Sequence, residues 1–108
     1  MEYSVYIHPT VYKEVILKLS SNNQDRINNL VQQLAVNPYV GDQLQIKYIR
    51  EKRFDDKRIY HVVFEDLKAV LIVVISDKKT QQKTIDSIKL NINKYRDYVK
   101  SIMDSELS

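Results

Sequence analysis

The sequence predicts an α+β domain: an antiparallel-rich four-stranded sheet with two N-terminal helices and one C-terminal helix, in the order β-α-α-β-β-β-α. Three observations lead there. Ala69-Val-Leu-Ile-Val-Val-Ile75 is an unbroken apolar run rich in Val and Ile, the pattern of a strand buried on both faces. Just before it, Ile46 to Phe54 and Lys57 to Glu65 flank Asp55-Asp56, two turn-forming residues at the centre of a short hairpin. In the remaining segments apolar residues recur at spacings of three and four, the period of helices packed against a sheet.

All 108 residues read as one domain, long enough to bury a core without disulfides or a metal. Hydrophobic residues make up 44% and charged residues 29%, and no apolar run approaches the roughly 18 residues of a membrane span, so no membrane partner is expected. Met1-Glu-Tyr-Ser-Val-Tyr-Ile-His lacks the charged and apolar regions of a secretory signal, and cysteine is absent; the expectation is a cytoplasmic protein.

Glu2 to Ile7 alternates, with Tyr3, Val5 and Ile7 on one face, and predicts the first strand over about residues 2–8. That strand should insert beside Ala69–Ile75, both of whose edges need partners. His8-Pro9 ends it, and Pro9 suits the first turn of a helix, where its missing N–H would be unpaired anyway. The first helix is expected to reach about Leu19 on a stripe of Val11, Val15, Ile16 and Leu19. Asn22, with Asp25 three positions on, marks the start of the second helix, whose stripe is Ile27, Leu30, Val31, Leu34 and Ala35. Asn37-Pro38 ends it, because a residue before proline disfavours the helical region. Tyr39 to Gln43, with the single glycine Gly41, reads as the loop into the sheet.

The remaining strands are placed near residues 44–54, 57–65 and 68–76. Strand period two puts Tyr48, Arg50, Lys52 and Phe54 on one face of the first of these, and Arg58, Tyr60, Val62 and Phe64 on one face of the next, with His61 opposite. From Thr84 to Met103, Ile85, Ile88, Ile92, Tyr95, Val99 and Ile102 form a heptad stripe, which packs on its own domain or pairs in part with another chain.

Positive charge is concentrated. The net charge is +3, yet Ile46 to Arg58 holds six Lys/Arg against three acids and Asp77 to Lys83 three Lys against one Asp, leaving the rest slightly acidic. Such a cluster fits a polyanionic partner such as RNA; it equally fits a solvated sheet face whose cations discourage edge pairing. Other chemistries lack their residues. No glycine-rich phosphate loop, no Gly-x-Ser-x-Gly and no zinc-ligand set is present, so neither a metal site nor a cofactor is expected.

The element order, the basic hairpin, and the words Arg-Ile-Tyr-His-Val-Val (58–63) and Asp-Lys-Lys-Thr-Gln-Gln-Lys (77–83) together resemble the RelE/HigB/ParE superfamily of toxins from type II toxin–antitoxin systems, across almost the whole chain. The most specific piece is Lys78-Lys-Thr-Gln-Gln-Lys-Thr84, similar to the Lys-Lys-Thr-Gln run that leads into a helix in HigB-like members. The resemblance implies a RelE-like fold and an mRNA interferase: an RNA-binding, metal-independent endoribonuclease that inhibits translation by cutting mRNA on the ribosome. It also implies a cognate antitoxin, with assembly as a homodimer or as a heterotetramer with that antitoxin. A ParE-like inhibitor of DNA gyrase and a catalytically inactive RelE-fold binding protein are the alternatives. Carried over by motif, Arg58 stands at the arginine opening the family's Arg-x-(x)-Tyr strand, where it supports the scissile phosphate. Arg50 and Lys52 match the basic pair of the preceding strand once the hairpin turn is shortened by one residue, and Lys78 and Lys79 match the pair after the central strand. Where RelE-type members often carry Tyr or His beyond that pair, this chain has Gln81 to Ile85.

Cleavage of RNA without a metal needs a base for the 2′-hydroxyl, cations for the crowded phosphorane, and an acid for the leaving 5′-oxygen. Lys52, placed beside Arg50 and Arg58, is the candidate base, because neighbouring cations lower a lysine pKa. Tyr60 is the candidate for stacking on a base or donating a proton. Lys47, Arg53, Lys57, Lys78, Lys79 and Lys83 are the candidate RNA-backbone contacts.

Overall fold

In the computed structural model, which describes residues 2–107 apart from the side chain of Lys78, the apolar run lies inside a mixed five-stranded sheet. The elements are β1 (Ser4–Ile7), α1 (Pro9–Glu14), α2 (Ser21–Val36), β2 (Asp42–Gln43), β3 (Ile49–Phe54), β4 (Lys57–Phe64), β5 (Ala69–Asp77), α3 (Gln81–Leu90) and α4 (Ile92–Leu107). Short 3₁₀ turns cover Ile16–Lys18, Glu65–Leu67 and Lys78–Thr80. The strand order is β1-β5-β4-β3-β2, and β1 lies parallel to β5 while the other pairs are antiparallel. β1 therefore inserts where the unpaired edge of the apolar strand required.

One sheet face packs Ile59, Val63, Val70 and Ile72 against Val11, Ile16, Ile27, Leu30 and Leu34 of α1, the turn after it and α2. The other packs Tyr60, Val62, Leu71 and Val73 against Ile85, Ile88 and Val99 of α3 and α4. Ala69 to Val73 are buried because helices cover both faces, while Val74 and Ile75 are partly buried. A bulge in β5 shifts the alternation: Tyr60 pairs with Val74 and His61 with Ile72, leaving Val73 as the extra residue. Beyond it, Ser76 is the partner of Arg58.

Several boundaries differ from the expectation. A fifth strand exists because Asp42 and Gln43, expected in a loop, pair with Glu51 and Arg50. The hairpin's first strand starts at Ile49, not near residue 44; Ile49 N–H closes a turn onto the Ile46 carbonyl at 3.1 Å, so Lys47 and Tyr48 sit in that turn. α1 stops at Glu14 and tightens into the 3₁₀ turn. α2 starts two residues early. Ser20, not Asn22, is its N-cap, and its hydroxyl accepts from Asn23 N–H at 3.2 Å. The single C-terminal helix is two helices, broken at Asn91, whose side-chain amide donates to the Ser87 carbonyl at 2.8 Å. The heptad stripe survives the break and packs on the chain's own sheet: Ile85, Ile88 and Val99 are buried there, with Ile92 and Tyr95 against them.

Gly41 adopts φ +96°, and a Cβ there would stand 2.5 Å from the Glu51 carbonyl oxygen. The turn into β2 thus requires both the left-handed backbone and the missing side chain. Gly41→Ala should lower stability by about 1–3 kcal/mol, read as an earlier denaturant midpoint at constant slope. An unchanged midpoint would contradict the close approach of Gly41 to β3.

Candidate functional site

The hairpin between β3 and β4 sets the geometry. Asp55, at φ +56°, is one of the short polar residues that tolerate a left-handed backbone, so the turn needs no glycine. The two-residue turn pairs Phe54 with Lys57, Arg53 with Arg58, Lys52 with Ile59, Glu51 with Tyr60 and Arg50 with His61. Directly paired residues project to the same side of a sheet. Arg53, Arg58, Glu51 and Tyr60 therefore face α3, while Arg50, Lys52 and His61 face α2.

This separates residues expected together. Lys52 does not stand beside Arg58: it pairs with Ile59, one residue out of register from Arg58, so the two project to opposite faces. It lies half-buried in a small cleft of about 200 Å³ with Arg26, Asn29 and Gln33 of α2. Arg50 is a fastener for the segment that leads into β2. Its Nη2 donates to the Tyr39 carbonyl at 2.6 Å, and its guanidinium lies 5.4 Å from the centre of the Tyr39 ring. Tyr60 is fully buried, and burial, with the Glu51 carboxylate nearby, pushes its pKa above the ordinary phenol value. In that position its ring is enclosed in the core beneath α3 and α4.

Arg58 behaves differently. Only 7% of it is exposed, and its Nε lies 3.1 Å from Glu51 Oε1 in an ion pair whose members are both buried. Gln81, in the first turn of α3, donates its side-chain amide to Glu51 Oε2 at 2.6 Å. Among the described residues, no protein group engages the terminal nitrogens of Arg58. Arg58 is one of the residues lining an open groove of about 560 Å³, with Arg53, Asp55, Asp56, Asp77 and Lys79. Two of the acids are tied up: Arg26 pairs with Asp55 at 3.0 Å and Lys57 with Asp77 at 3.7 Å. The groove is close to charge balance. Anion binding there has to come from directed contacts rather than from a strong net field.

Of the expected RNA contacts, Arg53 and Lys79 line this groove, and Lys57 stands at its rim through Asp77. Lys83 is exposed on the first turn of α3. Lys47 lies at the far end of the hairpin, 3.9 Å from Glu65, beside a second cavity with Tyr39, Tyr48 and Arg96. The side chain of Lys78 lies outside the described residues. Glu51 and Gln81 are the members that reasoning from sequence missed, since Glu51 entered only as an acid to be subtracted from a basic cluster. Register was the available signal: counting outward from Asp55-Asp56 places Glu51 on the face of Arg58.

Among the described residues, no helix is long and apolar enough to cross a membrane. No protein-family model matches the chain, and no curated protein is similar to it in sequence. Solved structures do match. The chain superposes on Escherichia coli toxin RelE in its free state with a TM-score of 0.67 at 13% identity, over 82% of this chain and 97% of that one. It also matches the toxin–antitoxin complex RelBE of E. coli (TM-score 0.60, 13% identity, 69% and 95% covered). For the archaeal RelE–RelB complex of Pyrococcus horikoshii the TM-score is 0.56 at 19% identity, with 72% and 97% covered. Over its described residues the chain has the α+β fold of RelE toxins, with four helices and a five-stranded mixed sheet.

Proposed function

We propose that this chain is the toxin of a type II toxin–antitoxin pair and that it acts as a metal-independent endoribonuclease on mRNA presented by the ribosome. The observation that carries the reading is a buried, carboxylate-backed arginine, Arg58, opening onto a groove flanked by Arg53 and Lys79, on the fold of RelE. The partner would be a small antitoxin, since the RelE neighbours were solved with RelB. The HigB-like reading of residues 78–84 adds sequence support.

In this reaction the substrate supplies its own nucleophile. The 2′-oxygen attacks phosphorus, the P–O5′ bond breaks, and the products are a 2′,3′-cyclic phosphate and a 5′-hydroxyl. One proton leaves the 2′-hydroxyl and one is delivered to the 5′-oxygen. What the protein must add is alignment and charge stabilisation of the phosphorane, which Arg58, with Arg53 and Lys79 of the same groove, would provide. The tying of Arg58 to Glu51 and the near-balanced groove favour a second reading, an inactive RelE-fold protein that only binds its partner. Mapping of 5′-hydroxyl mRNA ends in cells expressing the protein separates the two: new ends support cleavage, and their absence at full expression overturns it.

Few phosphates are engaged in this arrangement, so salt dependence should be moderate. Replacing Arg53 and Lys79 together by Ala should weaken binding of single-stranded RNA at all sequences. It should also flatten the slope of log K against log salt by about 1.4, near 0.7 for each lost phosphate contact. A parental slope in the double variant would place the RNA elsewhere.

A further inference from the structure

We infer that Glu51 is a positioning residue, which acts on RNA only through Arg58 and is itself held in place by Gln81. The inference rests on the ribonuclease reading and concerns how the groove's arginine is kept in one orientation. A free arginine side chain samples many rotamers, and ordering it on the substrate weakens each contact it makes. Here the Nε edge of Arg58 faces Glu51 Oε1 at 3.1 Å. A guanidinium presents two bidentate edges, and the one that contains Nε is turned toward Glu51. The two terminal nitrogens form the other edge, and Arg58 is one of the residues that line the groove. Glu51 is only 4% exposed and is not part of the groove lining, so it stands behind Arg58 rather than beside a bound phosphate. Its second oxygen is fixed at 2.6 Å by Gln81, and α3 is tied to the segment before β3 by Gln45–Gln82 at 2.9 Å and Lys89–Gln45 at 2.6 Å. The arginine's orientation is thereby referred to the helix that follows the Lys78–Thr80 turn.

A residue acting through Arg58 loses its influence once Arg58 is changed, and this is the measurable distinction. Single-turnover cleavage of a short RNA should be compared for the parent, Glu51→Gln, Gln81→Ala, Arg58→Lys and the double variant Glu51→Gln/Arg58→Lys. Glu51→Gln should lower the rate constant by about ten- to a hundredfold, with apparent substrate affinity within a few-fold, as expected for a misaligned group. Gln81→Ala, a surface change that leaves the buried pair in place, should cause a smaller loss in the same parameter. In the Arg58→Lys background, Glu51→Gln should change the rate less than twofold. The acidic limb of the pH–rate profile should be the same in Glu51→Gln as in the parent. A tenfold further loss in the double variant, or disappearance of that limb, would make Glu51 a proton acceptor in contact with RNA and overturn the inference. If the parent cuts no RNA, the ribonuclease reading fails alone. The same five proteins titrated with a 2′-deoxy oligonucleotide then decide the matter, since coupling of the two sites in Kd sustains positioning and simple additivity overturns it.

Discussion

Arg58→Lys should abolish most cleavage while leaving the fold intact. Lysine still places a cation against Glu51, so the buried carboxylate stays paired, but its ammonium has no second edge to turn toward the groove. The loss of one preorganised donor of this kind should lower the rate on the order of 10² to 10³. Arg58→Ala is the poorer variant. It strands Glu51 as a buried, unpaired charge, a change that typically costs about 3–5 kcal/mol, so lost activity could not be told from lost structure. The comparison should be made in growing cells at matched protein levels, mapping 5′-hydroxyl mRNA ends, with thermal melts of the purified proteins alongside. Ends that appear with the parent and vanish with Arg58→Lys at an unchanged melting temperature support the assignment. Equal cleavage by the two proteins would remove Arg58 from the chemistry.

The fold is legible in this sequence where one physical pattern is undisturbed. The doubly buried strand, the alternation of residues 3–7 and the Asp55-Asp56 turn each depend on a single period, and all three are found. Misreadings cluster where two patterns compete. Asp42 and Gln43 form an edge strand only because Gly41 lets the chain approach β3, a tertiary contact that two polar residues do not announce. The last helix breaks at Asn91 even though the apolar stripe runs through it, because the spacing of Ile88 and Ile92 is the same whether or not the backbone is continuous. The bulge at Val73 is invisible for a related reason: in a run apolar on both faces, an extra residue disturbs no alternation.

The site is less legible, because charge counting ignores which face each charge takes. Counted by segment, six cations in the hairpin look like one patch. Sorted by register, Arg50 and Lys52 go to the α2 side and Arg58 and Arg53 to the α3 side, with Lys47 at the other end of the strand. What remains in the groove is three cations facing three carboxylates. The specific feature is one buried ion pair, and it was concealed by treating Glu51 as a charge rather than as a partner.

His61 should make the folded state sensitive to mild acid. The ring is fully buried opposite Arg50, and its Nε2 lies 2.8 Å from the Pro38 carbonyl, which can only accept, so Nε2 carries the proton. Nδ1 is buried without a partner. A second proton there would have no acceptor and would place a cation near Arg50. Burial, opposed by the Pro38 bond and aided by Arg50, lowers the pKa from 6.5 to about 4. Unfolded chains take up this proton near pH 6.5 and the folded chain does not until near pH 4, so the unfolded state binds more protons between those limits. Stability is therefore full above about pH 6.5 and declines as pH falls toward 4, by roughly 3 kcal/mol for this one group. His61→Gln keeps an N–H for Pro38 and removes the titration. Unfolding free energies measured by denaturant from pH 7 to pH 4.5 should fall more steeply for the parent than for His61→Gln, whatever the offset between them at neutral pH. Asp66, held below the ordinary carboxylate range by its hydrogen bond to Arg96, works in the same direction but is common to both proteins and cancels in the comparison. Parallel curves for the two proteins would show that the His61 imidazole is not buried in its neutral form.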